Sequence, residues 1–571
     1  MEIQQHQIAS TLFDARARLA RGEFEVAGAL LQGLAKSVSG KQAMQTAELL
    51  LAARLLDDAT NLMVAVAREQ GDVWSAVYKF AGHMRARGLM DASRRVIGAF
   101  IDAHPEQSVE RMHADIELAL GLPGTYRSAE ELSHIRDAYL SQLRALIDSY
   151  PPLALREIGA RPEDFARDNL NLAYQGGDDL VAQSVYGDWL AESLNQLTVQ
   201  SPLPHTNNAR PTIVFVSSKL HECTVGWYFA SWIEHLSRSW DVTLVHTPEA
   251  RRDRLTQRLA TLCRNEIVLS PSIDAAAAQI RALAPSIVLY PELGLDGFTF
   301  ALAALRLAPV QACAWGHPVT TGLPTIDAFI TCAEMEPADA AAHYRERLIG
   351  LPGFGTRYAT PPIPPAPAPD ALGLPNDRTL YLMPQVLHKW HPDTDRHIVE
   401  IVRRDPTAGF VMFELRPPSP ARLINERLLH ALSEVSERPA AHLFWMPECS
   451  RTDYLRVNRV CRVMVDTPHW SGGNATVDAL SCGVPVVTMP GRFMRGRQSA
   501  TILRLLSCEE LIAGSVEELA DIAVEVAHDQ ARCELLGRKI CDRLPSVTQS
   551  EVPLLALDAS LRNLLAEPSS T

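Results

Sequence analysis

The run Thr360-Pro-Pro-Ile-Pro-Pro-Ala-Pro-Ala-Pro369 constrains this chain more than any other stretch. Prolines at this density remove backbone donors and favour an extended spacer, so the segment cannot sit inside a sheet. On both sides of it, short apolar runs alternate with helical stretches. Before it come 212–216, 242–246, 267–269, 287–290 and 311–315, with helical patterns such as 275–283 and 298–307 between them. After it come 379–383, 410–413, 443–446, 463–466 and 485–489. Alternation of this kind predicts parallel sheets with helices on both faces, here as two doubly wound domains joined by the spacer. Such domains bind ligands at the carboxyl ends of their strands.

The first 205 residues differ. They are rich in Ala, Leu, Arg, Glu and Asp, with apolar positions at helical spacing, for example Leu49, Leu50, Ala53, Leu56, Leu62, Met63 and Val66. Ala27, Ala59 and Ala92 each follow a short acidic or Gly-containing turn, at intervals of 32 and 33 residues, near the period of helix-hairpin repeats. The expected organisation is therefore an all-helical domain over 1–205, with degenerate repeats or an irregular bundle as equal readings. A Rossmann-like domain follows over 206–359, then a Pro-rich linker over 360–375. A second Rossmann-like domain over 376–571 ends in a helix near 552–565.

Composition excludes several classes. The net charge of −13 argues against a general nucleic-acid binder. No apolar run reaches the ~18 residues of a membrane-spanning helix, so no membrane span is expected. The first 21 residues carry Glu2 and Asp14 and lack the apolar core of a secretory leader. All ten cysteines lie between Cys223 and Cys541 without a CxxC pair, which reads as reduced thiols and a cytoplasmic setting. No GxGxxG follows a strand, and neither a GxxxxGK[ST] loop nor a GxSxG elbow occurs.

Four segments carry candidate chemistry. In Val465-Asp-Thr-Pro-His-Trp-Ser-Gly-Gly-Asn-Ala-Thr-Val-Asp478, Gly472 and Gly473 allow close backbone approach, and Asn474 and Thr476 fall where a helix starts. Exposed N–H groups and the positive dipole end make such a start an anion site. Asp478, one turn on, can accept both hydroxyls of a ribose. The bland alternative is an ordinary helix with Asn474 as its cap. In Tyr381-Leu-Met-Pro-Gln-Val-Leu-His-Lys-Trp-His-Pro-Asp-Thr-Asp395, Lys389 can neutralise a phosphate leaving group and Gln385 can hydrogen-bond a phosphate or sugar, although a lone lysine is more often solvated. Asp393 and Asp395 match a metal-holding DxD pattern but read better as residues at a helix start, so no metal is expected. His317, in Trp315-Gly-His-Pro-Val-Thr-Thr321, is a candidate base or hydrogen-bond donor. His221, after the first strand, is a weaker candidate.

Together, Asp466-Thr-Pro, Gly-Gly-Asn-Ala-Thr-Val-Asp478 and Gly483-Val-Pro-Val-Val-Thr-Met-Pro490 resemble the O-GlcNAc transferase/SPINDLY group of GT-B glycosyltransferases. Gly316-His-Pro-Val-Thr-Thr321 and the Asn474-x-x-x-Asp478 spacing look like its bacterial relatives, the cytoplasmic N-glycosyltransferases of high-molecular-weight adhesins. The resemblance runs from Pro211 to about Ala527. It implies an inverting, metal-independent transfer from a UDP-sugar, with no cofactor and with a protein acceptor such as an adhesin before export. By motif match, Lys389 would hold the diphosphate and offset charge on departing UDP. Gln385 would contact phosphate or sugar, with one residue more between it and the lysine than in the animal enzymes. Gly473 and Asn474 would meet phosphate, Asp478 ribose, and the strand end at Pro447 uracil. His317 matches a histidine beside the acceptor and donor sugar, and His221 falls near an acceptor-side histidine. The preferred reading is transfer of a hexose, glucose first, to Asn. Transfer of GlcNAc to Ser/Thr is the alternative, ahead of a UDP-sugar epimerase or a non-catalytic nucleotide-binding scaffold.

Overall fold

The computed structural model describes residues 2–167, 170–199, 202–203, 210–414, 416 and 419–567. The expected boundary at 205/206 lies outside the described residues. The chain forms two compact units. One comprises Met1–Gly124 with Asp148–Tyr150 and Pro417–Pro420. The other comprises Thr125–Ile147, Pro151–Arg416 and Ala421–Thr571, so the helical region expected as one domain over 1–205 is divided between them.

The first unit is built of helix hairpins. Glu2–Ala20 pairs with Phe24–Ala35, Gly40–Ala52 with Leu56–Ala67, and Trp74–Ala86 with Met90–Ala103. Val109–Leu120 closes the series. The faint alanine period is structural: Ala27, Ala59 and Ala92 are buried near the start of the second helix of each hairpin. The turn before each is closed by a residue in the left-handed region, namely Gly22 (φ 78°), Arg54 (φ 66°) and Gly88 (φ 76°). The core includes Leu31, Met63, Phe80, Met84, Ile97 and Phe100.

The second unit holds two parallel sheets. The first contains β1 (Thr212–Ser217), β2 (Asp241–His246), β3 (Asn265–Val268), β4 (Ile287–Tyr290), β5 (Val310–Ala314), β6 (Ala328–Cys332) and β7 (Arg347–Leu351), in the order β3-β2-β1-β4-β5-β6-β7. The second contains β8 (Thr379–Leu382), β9 (Ala408–Phe413), β10 (Leu443–Met446), β11 (Val463–Val465) and β12 (Val486–Val487), in the order β10-β9-β8-β11-β12. The helical region followed by two such domains is the architecture read from the sequence. β6 and β7 extend the first sheet beyond the strands expected.

The Pro-rich segment runs between the sheets without regular structure until the short turn of 3₁₀ helix Pro369–Leu372. The last helix, Val552–Ala566, grouped in the sequence with the second α/β domain, packs instead on helix Thr224–Leu236 and β7 of the first. The Trp240 indole N–H donates to Asp558 there at 2.6 Å. The helices within 125–147 and 151–199 also belong to this unit. Asp179 is buried between Arg136 and Arg495, at 2.8 and 3.1 Å.

Candidate functional site

A cavity of about 600 Å³ opens where the strand ends of the two sheets meet. Its lining from the second α/β domain includes Gln385, Lys389, Arg451, Gly473, Asn474 and Asp478. From the first domain come Thr224, Tyr228, Trp315, Gly316 and Pro318. Five of the residues singled out by sequence thus share one cavity.

Lys389 ends a turn of 3₁₀ helix, Leu387–Lys389, directly after β8. Its ammonium donates to Gln385 Oε1 at 3.2 Å and lies 5.6 Å from the Trp470 ring centroid. Among the described residues it makes no ion pair. Burial lowers its pKa to about 8, opposed by the Asp466 carboxylate. Gln385 is held in turn: its Nε2 donates to Asp466 Oδ1 at 3.3 Å, and its carbonyl accepts from the Trp390 indole at 3.2 Å. Asp466 also receives the Gly472 N–H at 2.8 Å and the Thr488 hydroxyl at 2.9 Å. The carboxylate after β11 therefore ties the lysine loop to the glycine loop. A side chain at Gly472 would displace the groups around it, since a Cβ would stand 2.4 Å from the Thr476 hydroxyl and 2.6 Å from Gln385 Nε2.

Helix Asn474–Ser481 starts at Gly473, which occupies the cap position that the bland alternative gave to Asn474. With the cap role gone, the Asn474 side chain accepts from the Tyr358 hydroxyl and donates to Asp478 at 2.9 Å. Asp478 is fully buried and gripped at 2.5 Å on both oxygens by Arg451, the first residue of helix Arg451–Val460. Burial raises its pKa to about 6 against the pull of Arg451 and Asn474. Arg451 stacks over Trp227 at 4.8 Å. Sequence reading passed over Arg451. Its available signal was Ser450, a helix cap just beyond the β10 strand end that had been noted.

The remaining candidates lie off this cavity. Pro447 is exposed, while its neighbours Glu448 and Cys449 line the wall. His317 is buried beneath Gly294, with its ring 5.6 Å from Trp470, and its Nδ1 finds no partner among the described residues. Burial lowers its pKa to about 3, so it is a neutral imidazole at physiological pH and a poor base. His221 is half-buried, and burial lowers its pKa too. The DxD pair diverges. Asp395 is clamped by Arg427 at 2.6 Å, whereas Asp393 faces His391 and His469. Among the described residues, that Asp393 group is one with the donor set to hold a metal.

Residues 366–552 match the family described as glycosyl transferase family 41. A probable UDP-N-acetylglucosamine–peptide N-acetylglucosaminyltransferase SPINDLY from Solanum lycopersicum is 29% identical over 231 residues, covering 40% of this chain and 24% of that protein. A probable UDP-N-acetylglucosamine–peptide N-acetylglucosaminyltransferase SEC from Arabidopsis thaliana is 25% identical over 260 residues, covering 43% of this chain and 26% of that protein. The chain thus spans about a quarter of the length of these relatives. A solved mutant of the Thermobaculum terrenum O-GlcNAc transferase superposes with a TM-score of 0.64 at 20% identity, over 98% of both chains.

Proposed function

We propose that this chain, a GT-B-fold protein of the O-GlcNAc transferase/SPINDLY clan by its fold and its family 41 region, is a UDP-sugar-dependent protein glycosyltransferase. The observation that carries the reading is Lys389. It is a half-buried cation without an acidic partner among the described residues, lining the same cavity as the start of helix Asn474–Ser481. When the glycosidic bond of a UDP-sugar breaks, negative charge appears on the diphosphate. Lys389 and the N–H groups of that helix start are the groups able to receive it. Gln385 steadies the lysine, and Asp478, positioned by Arg451, is the acceptor for ribose hydroxyls. The protein supplies the positive charge, so no metal takes part in the transfer. His317 stays neutral and packs beside Trp470, which lines the cavity, rather than taking a full proton.

The finer reading is transfer of a hexose, glucose first, to Asn of an adhesin-like protein in the cytoplasm. It rests on Gly316-His-Pro-Val-Thr-Thr321. The SPINDLY and SEC relatives, named as probable peptide N-acetylglucosaminyltransferases, favour GlcNAc as the sugar of the second reading, transfer to Ser/Thr. Intact-mass spectrometry separates them. The protein is mixed with peptides bearing an Asn sequon or only Ser/Thr, plus UDP-glucose, UDP-galactose or UDP-GlcNAc. A hexose gain on the Asn peptide alone establishes the first, and an N-acetylhexosamine gain on the Ser/Thr peptide the second. No gain with any pair rejects a transferase acting on these donors and acceptors.

A further inference from the structure

Two segments that carry the cleft residues also carry histidines that no step above uses. His391 lies two residues beyond Lys389, and His469 immediately precedes Trp470. Asp393 stands between them. Its Oδ2 is 2.7 Å from His469 Nε2 and 3.3 Å from His391 Nδ1, and the two rings lie 4.1 Å apart. One ligand atom from each residue falls within 4.8 Å of the others. Ligand atoms around a tetrahedral zinc ion, at bonds of about 2.0–2.1 Å, are about 3.3 Å apart, so a small adjustment admits an ion.

We infer that His391, Asp393 and His469 form a binding site for a borderline divalent transition cation, of which Zn²⁺ is the representative. Two imidazoles and one carboxylate suit that class and not the oxygen-only preference of Ca²⁺ or Mg²⁺. The surroundings agree. His391 Nδ1 accepts the Asp393 backbone N–H at 3.1 Å and lies 3.3 Å from Asp393 Oδ2, so its lone pair is held by that N–H beside the carboxylate, and an ion there would have to displace one weak bond. The far side of the His469 ring is backed by Gly176, where a Cβ would stand 2.8 Å from the ring, which fixes the ring's position. Asp393 is half exposed, at 53% of its side chain, leaving a fourth position open to water. His388, nearby in sequence, stacks on Tyr174 at 6.2 Å and is not part of the group.

The ion would sit outside the reaction. It would pin the segment bearing Lys389 to the segment bearing Trp470, whose ring lies over the lysine ammonium. This site stands whether or not the transferase reading holds, because its test needs no sugar donor.

The full-length chain is stripped with chelator and titrated with Zn²⁺ by calorimetry, then with Co²⁺ under visible spectroscopy. Ten cysteines are present, two of them exposed, so the spectrum must separate nitrogen and oxygen ligation from thiolate ligation. One equivalent of Zn²⁺ is expected, with affinity falling at least tenfold in His469→Ala and again in Asp393→Asn. The Co²⁺ spectrum should show d–d bands without a thiolate charge-transfer band. Circular dichroism on each variant checks folding. His391→Gln serves as a further variant that keeps the ring's polarity. Equal affinity in wild type and these variants, or a thiolate band that persists in them, overturns the site, as does failure of the stripped wild type to bind Zn²⁺.

Discussion

The two walls of the cleft were read from the same kind of signal, a strand end followed by polar residues, and they turned out differently. On the wall of the second α/β domain, Gln385, Lys389, Asn474 and Asp478 line the cavity and are knit together by hydrogen bonds through Asp466, Arg451 and Tyr358. On the wall of the first, His317 and His221 lie off the cavity, each with an Nδ1 that finds no partner among the described residues, while aromatic and backbone groups form the lining. A site for a diphosphate needs charge held in fixed places, and fixing charge takes partners. An acceptor surface must admit a polypeptide, which is served by shape and by groups free to bond. On the proposed reading, donor binding therefore belongs to the networked wall and acceptor contact to the other.

The strongest test removes the lone cation. Lys389→Ala should lower turnover by about 10²- to 10³-fold, the usual loss when one charge-stabilising group is deleted. The fold should remain intact, because Lys389 has a single side-chain hydrogen bond to lose among the described residues. A folded variant with near-normal turnover would make the two walls equivalent.

Next in size is the pH profile, which the walls should share unequally. Asp478 must be ionised to accept ribose hydroxyls. Its pKa is raised to about 6, so donor binding should rise as pH climbs through that value. Lys389 must be protonated, and its pKa is lowered to about 8, so activity should fall as pH passes that value. The bell belongs wholly to the networked wall, since His317 at about 3 does not titrate in this range. Asp478→Asn should weaken UDP binding by about 10- to 100-fold, the cost of a hydrogen bond to a charged group. It should also erase the acid limb in calorimetric titrations at several pH values. If His317→Gln erased that limb instead, the division between walls would fail.

The sequence carried the networked wall because its constraints are local. Two glycines at a helix start, a carboxylate one turn on and a lysine after a strand can be seen within fifteen residues each. Arg451 escaped because its value lies in reaching Asp478, 27 positions away, and nothing in its own segment marks that. The bland alternative for Asn474, a helix cap, follows from the residue type's preference for that place, yet Gly473 holds it and frees the Asn side chain for Tyr358. Of the strands, β7 was illegible because Arg347-Leu-Ile-Gly-Leu351 is a sheet edge, half exposed and interrupted by glycine. In the helical unit the alanine interval was visible, but the turn that explains it was masked at Arg54, where an arginine fills a backbone conformation that glycine holds in the neighbouring hairpins.

The smallest effects should come from the other wall, and they sharpen the comparison most. His317→Gln keeps a polar group of similar reach but loses the ring packed 5.6 Å from Trp470. It should cost less than about tenfold in kcat/KM, the range of one neutral hydrogen bond, and leave UDP affinity unchanged. His221→Ala should cost less still, because the side chain is half-buried and does not line the cavity. Its measurable trace should be a rise in KM for the peptide acceptor with kcat and UDP binding unaltered, the pattern of a contact made equally in ground and transition states. A loss of kcat in His221→Ala, with UDP binding intact, would move the chemistry toward β1 and make the first domain's wall the catalytic one.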